Sequence, residues 1–231
     1  MILGLFMSSL SVLADEVVLK ESLPASTAVS VQLKWFHQFQ FAGFYAALEQ
    51  GYFSQAGLNV TLIEGGPGID PVDSVIDGAA DFGIGNSTLL VDFNNGRPVV
   101  AVAAIFQHSP FVILARRDKD LRSLSDLEGR KLMGETRHAE LLAYLALAGV
   151  QIDKIQFVPH TGKVKSLIEQ KPGGVDATTA YSSTGPYLAT RENIPHHIFS
   201  PRDIDINFYG DTLFTSRDFS QRHPDLVIAI R

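Results

Sequence analysis

Two distant stretches of this chain are written in nearly the same way, and that near-repeat constrains the fold more than anything else. Val72-Asp73-Ser74-Val75-Ile76 runs into Gly78-Ala79-Ala80-Asp81, and Val164-Lys165-Ser166-Leu167-Ile168 runs into Gly173-Gly174-Val175-Asp176. In each, a helical stripe meets a Gly-x-x-Asp turn, then a short apolar strand, then polar residues: Asn86-Ser87-Thr88 in one, Tyr181-Ser182-Ser183 in the other. Helices alternating with strands build parallel-rich α/β sheets. A unit that recurs predicts two such lobes, each aiming strand ends and helix N-termini at a shared cleft. Chance likeness between β-α-β units is the competing reading, and 231 residues with 45% hydrophobic content can bury one large core or two small ones.

The local grammar agrees with two lobes. Val31 to Phe36 reads as a strand, His37 to Phe41 as a polar–aromatic knot, and Phe41, Phe44, Tyr45, Leu48 and Tyr52 recur at helical spacing. A strand ending in aromatics and amides before a helix is where open α/β sheets bind small molecules, which points to a flat, uncharged or weakly charged ligand. Leu58–Ile63, Phe82–Gly85, Val99–Phe106, Phe111–Ala115 and 130–134 are further strand-like runs. Asp70 is placed to cap a helix that has Pro71 at its first position, and Ser125-Asp126-Leu127-Glu128 reads as a capping box. The expected division is residues 29–116 and 208–231 in the first lobe and 117–207 in the second. A crossover near Ala115–Arg117 and a return near Phe208–Phe214 would form a two-stranded hinge.

Charge and cysteine content narrow the function. Net charge is −6 with no cluster of Lys or Arg, which argues against nucleic acid as a partner. The chain has no cysteine, so thiol nucleophiles, thiolate metal sites and iron–sulfur clusters are excluded. The histidines show no metal-ligand spacing, and no P-loop, dinucleotide fingerprint or nucleophile elbow is present. Residues 1–14, an apolar run ending in Ala14, read as a secretory leader cleaved after that residue, although no Lys or Arg precedes the run. Residues 15–28 read as a linker.

Six blocks, taken together and in order, resemble a known family: VQLKWFHQFQFAGFYAALEQGYF (31–53), EGGPGIDPVD (64–73), ADFGIGNS (80–87), IFQHSP (105–110), VPHT (158–161) and FSPRDIDINFYGDTLF (199–214). The family is the bacterial thiamine-pyrimidine-precursor-binding proteins, related to the nitrate, sulfonate and taurine receptors. The likeness is strongest to the branch used as sensor domains before histidine kinases and cyclic-diguanylate enzymes. It implies a bilobal type II periplasmic-binding-protein fold that closes on a small-molecule ligand without chemistry, with neither cofactor nor metal. It also implies a membrane permease or a transmembrane kinase or cyclase as partner, and a location outside the cytoplasmic membrane. A related eukaryotic branch is a precursor synthase using iron, pyridoxal phosphate and a cysteine-rich segment, which this chain cannot match. Two departures fall on the second lobe: Glu135-Thr136-Arg137-His138 stands where relatives carry a Pro-Gly-Ser type turn, and Gly185 stands where they carry an acid. Relatives continue past the helix opening at Pro224, so a truncated first lobe or a fragment, working or not, is the remaining expectation.

The candidate ligand contacts follow from residue chemistry. Trp35, Phe36 and Phe39 could stack on a heteroaromatic ring or simply pack in the core. Asn86 and Ser87 sit at a helix start, where they could face a ligand or serve as plain caps. Gln107, His108 and Ser109 leave an apolar strand as a polar turn and could donate to and accept from an aminopyrimidine. Glu135 and Asp211 could accept from a ligand amino group. Tyr181 and Tyr209 complete the set, as second-lobe and hinge contacts.

Overall fold

The computed structural model describes residues 26–134, 138–167 and 174–231. The leader, nearly all of the expected linker, and Glu135 lie outside them. The first half of the chain supplies β1 (Thr27–Gln32), β2 (Leu58–Ile63), β3 (Phe82–Gly85) and β4 (Val99–Ala104). Then come β5 (Phe111–Arg116), β6 (Lys131–Met133), β7 (Gln156–Val158), β8 (Ala177–Tyr181), β9 (His196–Phe199) and β10 (Thr212–Ser216). Helices α1 (Ala42–Glu49), α2 (Tyr52–Gln55), α3 (Pro71–Ile76) and α4 (Leu89–Asn94) belong to the first lobe. Helices α5 (Ala139–Leu147) and α6 (Gly185–Arg191) belong to the second, and α7 (Arg217–Arg222) and α8 (Pro224–Ala229) return to the first.

The strands form two sheets with the same plan, in spatial order β2-β1-β3-β10-β4 and β7-β6-β8-β5-β9. In each, three parallel strands are followed by an antiparallel one that the chain delivers after crossing from the other lobe. The recurring Gly-x-x-Asp turn has one job in both sheets. Asp81 accepts from the N–H and hydroxyl of Ser30 on β1, at 2.8 and 2.7 Å. Asp176 accepts from the N–H of Lys131 at the start of β6, at 3.0 Å. Each carboxylate thus satisfies a donor of the adjoining parallel strand.

Burial explains the strand sequences. β5 lies between β8 and β9 and its residues Phe111 to Ala115 are all buried, the continuous apolar run of a strand covered on both faces. Leu132, Leu141, Tyr144 and Leu145 pack on one side of that sheet, and Met133, Leu167 and Ala189 on the other. In the first lobe Val29, Val31, Phe41 and Phe44 share one core, while Val72, Val75 and Phe214 form another. Each large apolar side chain so enclosed is worth about 1.5–3 kcal/mol.

Four expectations need correcting. β5 is an inner strand of the second sheet, so the chain leaves the first lobe through residues 105–110 and not near Ala115–Arg117. Arg116 and Arg117 end a strand, where Arg116 binds Asp118; their charge marks the strand's exit to solvent, whereas the polar, proline-ended turn 107–110 marks the crossing. Outgoing and returning segments run side by side: Gly210 N–H donates to Phe106 C=O at 2.9 Å, and Ser109 N–H to Phe208 C=O at 2.7 Å. The first strand begins at Thr27, inside the expected linker, and ends at Gln32, so Lys34, Trp35 and Phe36 are free of the sheet. The capping box is made by Ser123 with Asp126, not by Ser125 with Glu128.

Candidate ligand-binding cleft

A cavity of about 780 Å³ lies between the lobes, a size suited to one small organic ligand. From the first lobe its wall takes Lys34, Trp35, Gln38 and Gln40 after β1, the Gly66–Val72 turn into α3, and Asn86 and Thr88 before α4. From the second it takes His138, His160 and Gly162, residues Thr178 to Tyr181 of β8, and Thr184 and Gly185 at the start of α6. Local sequence dictates the approach. A Cβ on Gly65 would stand 2.1 Å from the Leu33 carbonyl oxygen, so glycine is required for the turn after β2 to pack on residues 33–35. Gly65 N–H then donates to Trp35 C=O at 3.1 Å, which fixes the Trp35 loop at the cleft.

Aromatic surfaces surround the space. Trp35 meets His160 edge to face with centroids 4.8 Å apart, and His138 stacks on Phe111 at 4.9 Å. Tyr181 turns its hydroxyl end toward the Lys34 ammonium, whose nitrogen is 4.8 Å from the ring centre.

A polar network ties the lobes together at the cavity's edge. Lys34 Nζ donates to Tyr181 Oη at 2.5 Å, Tyr181 Oη–H donates to Asp211 Oδ1 at 2.7 Å, and Lys34 also reaches Asp211 Oδ1 at 3.1 Å. Gln40 Nε2 donates to the other oxygen of Asp211 at 3.1 Å. Burial raises the Tyr181 phenol well above its ordinary value, with the Asp211 and Glu140 charges adding to the effect, so it stays a donor. Asn86 Nδ2 faces His138 Nε2 at 3.0 Å, while Asn86 Oδ1 accepts from Thr88 N–H at 2.9 Å. The other His138 nitrogen faces the Leu141 N–H. Desolvation pushes the His138 imidazolium pKa down to about 3, helped by the nearby Lys34 and His160. Thr184 Oγ1 is enclosed in this wall with no hydrogen-bond partner among the described residues.

Of the residues expected to touch ligand, Trp35, Asn86 and Tyr181 line the cavity, and Asp211 stands directly behind Tyr181. Phe36 instead bridges Gly66 of the first lobe and Gly162 of the second. Phe39 is 74% exposed, away from the cavity wall. Gln107 bonds the Ala104 carbonyl and His108 bonds Asn207, both exposed on the hinge. Ser87 donates to the Tyr209 carbonyl at 2.7 Å, with the Tyr209 ring exposed. Ser109 donates to Glu140 at 2.8 Å. Sequence reasoning passed over Gln38, Gln40, His138 and His160 as wall residues. Gln38 and Gln40 had a signal, since they are the amides of the polar–aromatic knot; His138 and His160 are joined to the site only by tertiary folding. No group of three or more His, Cys, Asp or Glu among the described residues could hold a metal.

Comparison with known proteins accords with this geometry. The riboflavin-binding protein RibY of Chloroflexus aurantiacus is 22% identical over 216 residues, covering 88% of this chain and 59% of RibY. The formylaminopyrimidine-binding protein of Halalkalibacterium halodurans is 26% identical over 106 residues, 46% of this chain and 32% of that protein. The chain therefore spans about 59% or less of the length of these curated relatives. Among solved structures, the alkanesulfonate-binding protein SsuA of Xanthomonas axonopodis superposes with TM-score 0.66 at 18% identity, over 88% of this chain and 70% of that one. The Bordetella pertussis BvgS VFT2 domain superposes with TM-score 0.58 at 18% identity, over 88% and 86%. These similarities show the periplasmic-binding-protein fold. The model for the family described as NMT1/THI5 like matches residues 38–231, and the chain belongs to that family.

Proposed function

We propose that this chain is an extracytoplasmic solute-binding module whose lobes close on a small heteroaromatic ligand of the thiamine-pyrimidine-precursor type. The closed form would be what a membrane permease or a transmembrane kinase or cyclase recognises. The observation that carries this reading is the two-lobed cavity itself, walled by Trp35, His160, the His138–Phe111 stack and Tyr181. Ring faces and edges so arranged suit a flat π-system. Thr184 Oγ1 supports it: it has no partner among the described residues, and a buried hydroxyl in that state is costly until a ligand supplies one. The relatives named for riboflavin and formylaminopyrimidine, both nitrogen heterocycles, point the same way. Binding is favoured over chemistry at Lys34, since its amine already donates to Tyr181 and pairs with Asp211.

The test is calorimetry with riboflavin and with a hydroxymethyl aminopyrimidine on the folded protein. Saturable binding is expected, with a rise in unfolding free energy of about 2.7 kcal/mol at a hundredfold excess over Kd. A folded preparation that binds no heteroaromatic probe would sink the reading.

A further inference from the structure

Every group described on the cavity wall that could be cationic already has a hydrogen-bond or ion-pair partner. Among the described residues these are Lys34, Arg97, His138 and His160. Lys34 is paired with Asp211 at 3.1 Å, and the phenol of Tyr181 is bonded to both. Arg97 reaches Asp70 at 3.3 Å, Asp92 at 3.0 Å and Asp73. The ring nitrogens of the two histidines are already engaged. His160 Nδ1 accepts from Gly162 N–H at 2.9 Å, and Nε2–H donates to Thr179 C=O at 3.0 Å. Both nitrogens of His138 face donors, Asn86 Nδ2 and Leu141 N–H, an arrangement hostile to an imidazolium.

Helix starts on the first lobe offer no alternative anion seat. Val72 N–H of α3 is taken by Asp70 Oδ1 at 2.8 Å, and Thr88 N–H before α4 by Asn86 Oδ1. Among the described residues, two ammonium or guanidinium cations are therefore paired with four carboxylates, Asp211, Asp70, Asp73 and Asp92.

We infer that Asp211 is a specificity-determining residue: by occupying Lys34 it makes the cleft select uncharged or cationic ligands and reject anionic ones. The inference rests on the proposed ligand-binding reading and sharpens it. It separates this cleft from one built for sulfonates, which needs an uncompensated donor cluster for its oxyanion. A fixed ring carrying a charged arm toward Lys34–Asp211 would meet a neutral pair, and toward Arg97 an excess of carboxylate.

The experiment is calorimetry on the whole chain with one aminopyrimidine scaffold bearing hydroxymethyl, aminomethyl or carboxylate at the same ring carbon. The native protein is expected to bind the first two and to bind the carboxylate at least about tenfold more weakly. Asp211→Asn, which frees Lys34, should shift the carboxylate-to-aminomethyl affinity ratio toward the carboxylate by about tenfold or more. Lys34→Met, at a partly accessible side chain, should shift it the opposite way and keeps the test alive should Asp211→Asn misfold. A native protein that binds the carboxylate as tightly as the hydroxymethyl compound overturns the inference, as does a ratio that neither variant moves. If no member of the series binds, the heteroaromatic reading itself fails and takes this one with it; tight carboxylate binding alone leaves a receptor with the opposite charge preference.

Discussion

At the scale of single residues, Tyr181 is the most informative side chain. Its hydroxyl accepts from Lys34 and donates to Asp211, so one atom joins the second sheet to the first lobe and the hinge. Tyr181→Phe keeps the ring in the cavity wall and the direct Lys34–Asp211 pair, but removes one of the bonds between the lobes. Charge-assisted hydrogen bonds of this kind contribute about 1.5–3 kcal/mol. Ligand affinity measured by calorimetry should fall by about tenfold to a hundredfold, while unliganded thermal stability stays close to native. An unchanged affinity would show that the hydroxyl plays no part in closure. Tyr181 could be read from sequence because a polar tail after a short apolar strand marks a strand end at a cleft. Lys34 was harder: it looks like one position of a strand until the strand is seen to stop at Gln32.

At the scale of elements, the N-terminus of α5 carries two groups that burial drives in opposite directions. His138 caps the helix and is held neutral, while Glu140 on the first turn is wholly buried, with Oε2 bonded to Ser109. Burial raises the Glu140 carboxyl above its ordinary value, and Lys34, Ser109 and Ser87 only partly offset it. The sign follows from linkage. A raised carboxyl binds its proton more tightly in the folded state, so its contribution is full below the ordinary glutamate range and is lost as pH rises through the folded value. The depressed His138 works the other way, losing its contribution as pH falls below the ordinary histidine value toward about 3. As pH rises from the ordinary glutamate value the two groups oppose each other, so Glu140→Gln should remove the downward component and leave stability rising more steeply with pH, without altering the loss in acid that belongs to His138. Thermal unfolding across that rise in pH checks it, and parallel curves for the two proteins would refute the assignment. These features were not legible in sequence. Glu140 reads there as an ordinary first-turn acid, and only packing against Ser87 and Ser109 makes it anomalous. The hinge expected near Ala115–Arg117 lies elsewhere for a related reason: the side-by-side pairing of 105–109 with 208–211 can be seen only in three dimensions.

At the scale of the whole molecule, the near-repeat legible in the sequence becomes two sheets of one topology, each completed by a strand from across the hinge. That construction would let the proposed closure be a rigid-body motion, because neither sheet need change for the lobes to meet. What meets is small and specific. The Phe36 ring lies against Gly66 on its own lobe and Gly162 on the other, where an added Cβ would stand 2.5 Å from ring carbon Cε2. Gly162 also has φ of 76°, so alanine there costs about 1–2 kcal/mol in backbone strain within its own loop. The clash with Phe36 is a separate penalty that exists only when the lobes are together. Gly162→Ala should thus lower unliganded stability modestly but weaken ligand affinity by more than tenfold, and abolish the ligand-induced contraction seen by small-angle X-ray scattering. Pairing it with Phe36→Leu removes the ring edge and leaves the strain, so affinity and contraction should largely return while the stability loss persists. If the single variant contracts normally with ligand, Phe36 and Gly162 do not form the closure contact, and the lobes must be held by other contacts such as the Lys34–Tyr181–Asp211 network and the Asn86–His138 bond.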